Sequence, residues 1–155
     1  SFEGRKVGVL VSDGINADLL TGLRSAVEKE GALVEVVAAR IGGVEANDGS
    51  WIEVNHTISG GPSVLYDAVA LLLTENATNE LAADPAARDF VSDAFAHRKF
   101  IAYSESSLGL LRAVLGERKP DEGFIEIKGQ KDSIRFVEKC RKLRFWDREA
   151  ELTRG

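Results

Sequence analysis

Along this chain, short apolar runs alternate with stretches whose apolar residues recur every three or four positions. Lys6-Val7-Gly8-Val9-Leu10-Val11, ended by Ser12-Asp13-Gly14, has the continuous apolar character of a strand buried on both faces. Leu19, Leu20, Leu23, Ala26 and Val27 then fall at helical spacing, with Asn16 as a cap and Gly31 as the stop. Leu33 to Ala38 is rich in β-branched residues and completes a βαβ unit, so a parallel sheet is predicted. The segment from Ile41 to Ile58 lacks helical periodicity. Its Asn47-Asp48-Gly49 turn between Val44 and Trp51 predicts a small hairpin inserted beside the sheet.

Ala68-Val69-Ala70-Leu71-Leu72-Leu73 is the most apolar run and predicts a central strand. The next helix is expected to begin near Asp84-Pro85 and to place Phe90, Ala94 and His97 on one side. Phe100-Ile101-Ala102-Tyr103 returns as a strand and turns sharply at Ser104-Glu105-Ser106-Ser107 into a helix carrying Leu108, Leu111 and Leu115. Phe124 to Ile127 reads as an edge or near-edge strand, and Ser133 is expected to cap a final helix through Ile134, Val137 and Cys140. This alternation predicts an α/β, doubly wound sheet in one domain over residues 1–155, with ligand sites beyond the carboxyl ends of its strands.

Composition narrows the classes. No apolar run approaches the ~20 residues needed to cross a bilayer, so no membrane partner is expected. A net charge of -5, with basic residues interleaved among acids, argues against binding nucleic acid by charge. Cys140 is the single cysteine, which excludes an internal disulfide and a thiolate metal cluster and leaves the compartment open. The triplets Asn55-His56-Thr57 and Asn76-Ala77-Thr78 would be glycan acceptors in a secreted chain. There is no methionine, at position 1 or elsewhere, and on that ground the chain reads as a piece of something longer.

The loops after Val11, Leu73 and Tyr103 are where chemistry is expected. Asp13 and Asp18 would face a flavin phosphate with carboxylates, the G-x-G-x-x-G and G-x-x-x-x-G-K-S/T fingerprints are absent, and Thr74 stands where a phospho-acceptor aspartate would end the central strand. Ser104 occupies the sharpest turn, flanked by the small residues Ala102 and Ser106, a layout in which a strained elbow could expose a nucleophile. A serine hydroxyl needs a base, and Glu105 and His97 are the nearest candidates in sequence, so Ser104 reads first as a helix-capping serine and second as a hydrolase nucleophile. Lys139, Arg141, Lys142, Arg144 and Arg148 read as a solvated helix end, Cys140 as a buried hydrophobe, and Trp51, Phe145 and Trp146 as plugs at the core edge. Two histidines far apart in sequence give a metal site little support.

Several motifs recur in a recognisable order: Asp13-Gly14 with Ala17-Asp18-Leu19-Leu20, Ala46-Asn47-Asp48-Gly49, Pro62-Ser63, Asp67-Ala68-Val69, the passage Asp93 to Ala102, Glu122-Gly123 and Arg144-Phe145-Trp146. Together they resemble the carboxyl-terminal domain of large-subunit haem catalases. The resemblance implies a flavodoxin-like three-layer sandwich related to the class I glutamine amidotransferase and PfpI/ThiJ superfamily. Active members of that superfamily carry a cysteine at the elbow and a glutamate after the first strand; here those stretches read Ser104 and Asn16-Ala17-Asp18-Leu19. The implied role is a noncatalytic accessory domain supporting subunit packing, stability and chaperone-like protection of other chains. Its implied partners are the catalase core domain and sister subunits of a homotetramer. Haem and peroxide cleavage would belong to the larger amino-terminal part, leaving no cofactor in this domain.

Overall fold

The computed structural model describes residues 1–153. In chain order the elements are β1 (Lys6–Val11), α1 (Ala17–Lys29), β2 (Leu33–Ala38), β3 (Val44–Glu45), β4 (Trp51–Ile52), β5 (His56–Thr57), β6 (Ala68–Leu72), α2 (Glu75–Leu81), α3 (Pro85–Ala96), β7 (Ile101–Tyr103), α4 (Leu108–Leu115), β8 (Phe124–Glu126), α5 (Gln130–Cys140) and α6 (Arg148–Thr153). Short 3₁₀ turns at Ser63–Leu65 and Glu105–Ser107 precede β6 and α4. Among the described residues six strands form one sheet in the order β5-β2-β1-β6-β7-β8, every pair parallel, and β3 and β4 form the separate antiparallel hairpin. The flavodoxin-like three-layer sandwich is the observed architecture.

Strand alternation divides the core into two clusters. Val7, Val9 and Val11 of β1 and Ala68, Ala70 and Leu72 of β6 face a layer containing Leu20, Leu23 and Val27 of α1 and Phe136, Val137 and Cys140 of α5. Leu10, Val69 and Leu71 face the opposite layer, with Phe90 and Val91 of α3 and Leu110 and Leu111 of α4. Burial on both faces explains why these strands lack polar alternation. Gly8 interrupts β1 because the Tyr66 ring lies where its Cβ would stand, a close approach that only glycine permits.

The motifs quoted from the sequence are mostly joints between elements. Asn16 Oδ1 accepts from the amides of Asp18 and Leu19 at 3.0 and 3.2 Å, and Asn47 Oδ1 accepts from Ala17 at 3.0 Å, so the hairpin turn shares in capping α1. Asp13 Oδ1 accepts from Glu45 N at 2.9 Å, tying the β1–α1 loop to β3. Asp67 accepts from the Lys6 amide at 3.0 Å and pairs with Arg5 at 3.5 Å, aligning the starts of β6 and β1.

Several expectations are corrected. A helix the sequence did not announce, α2, follows β6 directly. Thr74 caps it by accepting from Ala77 N at 3.3 Å, and Thr78 Oγ1 donates to the carbonyls of Thr74 and Ser106. The segment 41–58 contributes β5 to the main sheet as well as the hairpin. His97 is the exposed C-cap of α3 rather than a member of its apolar face. Gly129, not Ser133, caps α5; Ser133 is buried within the helix and Ile134 is exposed. Trp51 and Trp146 are exposed rather than plugging the core edge. The basic cluster is not one solvated face, since Arg148 at the start of α6 is 1% exposed.

Candidate functional site

The carboxyl ends of β1, β2 and β6 open into a cleft of about 880 Å³. Its walls include Ser12 and Asp13 after β1, Arg40 after β2, Trp51 on the hairpin and Asn76 and Glu80 on α2. A doubly wound sheet splays its loops apart where neighbouring strands lead in opposite directions, and β1 and β6 flank that point here. The loops after Val11 and Leu73 meet directly: the Thr74 amide donates to Ser12 Oγ at 3.0 Å, and the two hydroxyl oxygens lie 3.4 Å apart. Asp18 stands exposed in the first turn of α1.

The third expected loop does not line this cleft. Ser104 sits at the β7 elbow with φ -83° and ψ 154°, an ordinary extended conformation, and it is 6% exposed. Its side chain makes no capping bond to the turn it begins. Instead its Oγ lies 2.9 Å from Ser107 Oγ, 3.0 Å from Ser106 Oγ and 3.5 Å from the Leu71 carbonyl. Ser107 Oγ donates to Leu71 O at 3.0 Å while accepting from Leu73 N at 2.9 Å, and Ser106 Oγ donates to Leu73 O at 2.6 Å.

These hydroxyls satisfy backbone groups of Leu71 and Leu73, at and just beyond the end of β6. Each serine has one proton to give. Those of Ser106 and Ser107 go to backbone carbonyls, so Ser104 is left to donate to a neighbouring hydroxyl or at longer range to Leu71 O. Neither acceptor is a base that could take the proton away. Glu105 points to solvent. His97 lies before β7, at the opposite end of the strand from Ser104, and His56 on β5 is four strand positions from β7, a lateral distance of roughly 19 Å at the usual strand spacing. His56 Nε2 pairs with Glu35 at 3.4 Å. The structure brings Ser104 together with other serines and leaves the candidate bases elsewhere.

Among the described residues there is no group of three or more His, Cys, Asp or Glu placed to hold a metal ion. The cleft does not fit haem either, because its lining supplies no His, Cys, Met or Tyr to ligate the iron. Cys140 is the last residue of α5 and is buried on its inner face, and burial pushes its thiol well above the usual value.

Three buried polar side chains escaped the sequence reading. Arg148 makes a two-pronged pair with Asp121, Nε to Oδ2 at 2.6 Å and Nη2 to Oδ1 at 3.0 Å, and its Nη1 donates to the carbonyls of Phe95 and Lys99. Its guanidinium lies 4.7 to 5.5 Å from the ring centres of Phe95, Phe124 and Phe145. Lys99 is 3% exposed and donates to Ser63 O at 2.7 Å; burial first, then the Arg144 charge, lower its amine to about 8. Tyr66 Oη is buried and makes no hydrogen bond of normal geometry among the described residues, although the Glu35 carboxylate lies near enough to act on it. Burial, then the nearby Glu35 carboxylate, raise its phenol. Gly8 inside a valine-rich strand was the available sign of Tyr66, and Gly123, beside which the Arg148 guanidinium packs, was the sign of Arg148.

Residues 3–150 match the family model of the C-terminal domain found in long catalases. Catalase C of Rhizobium meliloti is 47% identical over 97% of this chain and 21% of its own length, and Catalase-B of Dictyostelium discoideum is 31% identical over 97% and 22%. The chain thus spans about a fifth of the length of these relatives. Among solved structures, a DJ-1 superfamily protein from Salmonella typhimurium superposes with a TM-score of 0.73 at 23% identity, covering 90% of each chain. A ThiJ/PfpI domain protein from Brachyspira murdochii gives 0.74 at 14% identity, over 91% of this chain and 96% of that one. At these identities the likeness shows the shared fold.

Proposed function

Starting from the fact that this chain belongs to the family of C-terminal domains found in long catalases, we propose that it is a noncatalytic accessory domain supporting the stability and assembly of a haem catalase that breaks down hydrogen peroxide. The observation that carries the noncatalytic part is the elbow: the Ser104 hydroxyl is 6% exposed and bonded among Ser106, Ser107 and Leu71. The span of only about a fifth of each catalase relative supports a parent chain that holds the haem and the reaction. Its partners are the catalase core and sister subunits of a tetramer, and exposed apolar groups such as Trp146 give chaperone-like contact with other chains a physical basis.

The test compares the full-length catalase with a version truncated before this domain. Peroxide turnover is expected to persist per haem, while the truncated enzyme loses activity faster on heating and dissociates at lower denaturant concentration. Equal inactivation and dissociation would overturn the stabilising role. A fluorophosphonate probe is expected to leave Ser104 unmodified in the full-length enzyme; labelling lost in Ser104→Ala would replace this reading with a hydrolase.

A further inference from the structure

The cleft at the carboxyl ends of β1, β2 and β6 takes no part in the accessory role, yet its lining is chemically selective. Its volume of about 880 Å³ falls within the range of small-molecule sites, roughly 300–1,000 Å³. Among its lining residues the charged ones are Asp13, Glu45 and Glu80 against Arg40 alone, an excess of negative charge. Among the described residues no ion pair joins Arg40 to any of the three carboxylates. A concave wall dominated by one sign of charge focuses its field into the cleft, which favours a cation there and repels an anion.

The hairpin brings two of these acids together with an aromatic ring. Asp13 Oδ1 accepts from Glu45 N at 2.9 Å, which sets the Asp13 carboxylate beside β3. Glu45 stands directly opposite Trp51 in the antiparallel β3–β4 pair, on the same face. Facing residues in such a pair have Cβ atoms about 4.5–5.5 Å apart. Trp51 is 63% exposed, yet its ring is seated: the indole Nε1 and Cε2 lie where a Cβ on Gly43 would stand, and Gly43 has a φ of 106° that favours glycine. An indole held in solvent beside two carboxylates adds nothing to the core. A positive charge placed against it gains attraction from the ring and from both acids at once, whereas a neutral polyol leaves the charge of the cleft uncompensated.

We propose that this cleft binds a small organic cation, its ammonium group seated against the Trp51 indole beside the Asp13 and Glu45 carboxylates, with Glu80 adding to the field from α2. The site is independent of the accessory role proposed above. Isothermal titration calorimetry on the full-length protein tests it with choline, whose quaternary nitrogen has no lone pair with which to ligate a haem iron. The neutral carbon isostere dimethylbutanol and the polyol methyl glucoside serve as comparisons. Choline is expected to bind saturably and more tightly than either, and to bind less tightly as salt is added. Its affinity is expected to fall roughly 2- to 30-fold in Trp51→Ala, the range of a cation held by an aromatic face. It is expected to fall also in Asp13→Asn, which keeps an acceptor for the Glu45 amide but loses the charge, and to stay unchanged in Trp146→Ala. Absence of saturable choline binding, equal binding of the isostere, tighter binding of the glucoside, or an affinity unchanged in either Trp51→Ala or Asp13→Asn would overturn the proposal.

Discussion

Replacing Arg148 with methionine keeps an unbranched side chain against Phe95, Phe124 and Phe145 but removes the charge and every hydrogen bond of the guanidinium. The carbonyls of Phe95 and Lys99 lose a donor, and the Asp121 carboxylate, 15% exposed, keeps the Gly123 amide at 2.8 Å as its one remaining partner among the described residues. Breaking a buried pair from one side typically costs about 3–5 kcal/mol, because the remaining charge stays desolvated. Asp121 retains some contact with water, so the lower end applies, about 3 kcal/mol. For a chain of this length each kcal/mol lowers Tm by roughly 2–4 °C, giving a fall of about 6–12 °C. Urea denaturation followed by tryptophan fluorescence measures the loss, with Trp146 two residues away as a local reporter. Asp121→Asn should cost a similar amount, and the double variant Arg148→Met with Asp121→Asn should cost clearly less than the sum. A single-variant loss below about 1 kcal/mol, the level of a surface pair, or strict additivity would refute the reasoning.

Lys99 predicts a pH signature. An amine depressed to about 8 from 10.5 binds fewer protons in the folded than in the unfolded chain between those values, so its contribution makes stability rise with pH across that window. Denaturation at pH 7.5 and 9.5 should show a rise in the native chain that is reduced in Lys99→Met; parallel profiles would contradict it. Gly8→Ala drives a methyl into the Tyr66 ring and should cost about 1–3 kcal/mol by the same urea assay, whereas a neutral result would mean the ring can move aside. Cys140 should resist a thiol reagent in the native protein and react on unfolding, and labelling at the rate of a free thiol without denaturant would show that its burial is not maintained.

What the sequence made legible was whatever one element could encode alone. β1, α1 with its Asn16 cap and β2 follow from local apolar pattern and local capping chemistry, and the Asn47-Asp48-Gly49 turn is enough to write the hairpin. Helix α2 was missed because Glu75-Asn76-Ala77-Thr78-Asn79-Glu80 has almost no apolar face; its stability depends on the Thr74 cap and on Thr78 bonding to Ser106 in another element. β5 is two residues long and exists through its pairing with Val37 and Ala38. Ser104 could be placed at the elbow from the sequence, but the direction of its proton is set by Ser106, Ser107 and the carbonyls of Leu71 and Leu73, which only the fold assembles. Arg148 reads in the sequence as part of a basic helix end because Asp121, Phe95 and Phe124, three of its main partners, come from distant segments.

The sheet ends on one side in β5, with two residues, and on the other in β8, with three. A strand needs a run of unpaired amides and carbonyls to recruit another strand, and neither border offers one long enough to act as a template. Copies brought together at high local concentration are therefore kept from fusing into a continuous ribbon of backbone. Recognition is left to side chains, which unlike main-chain ladders can discriminate one neighbour from another.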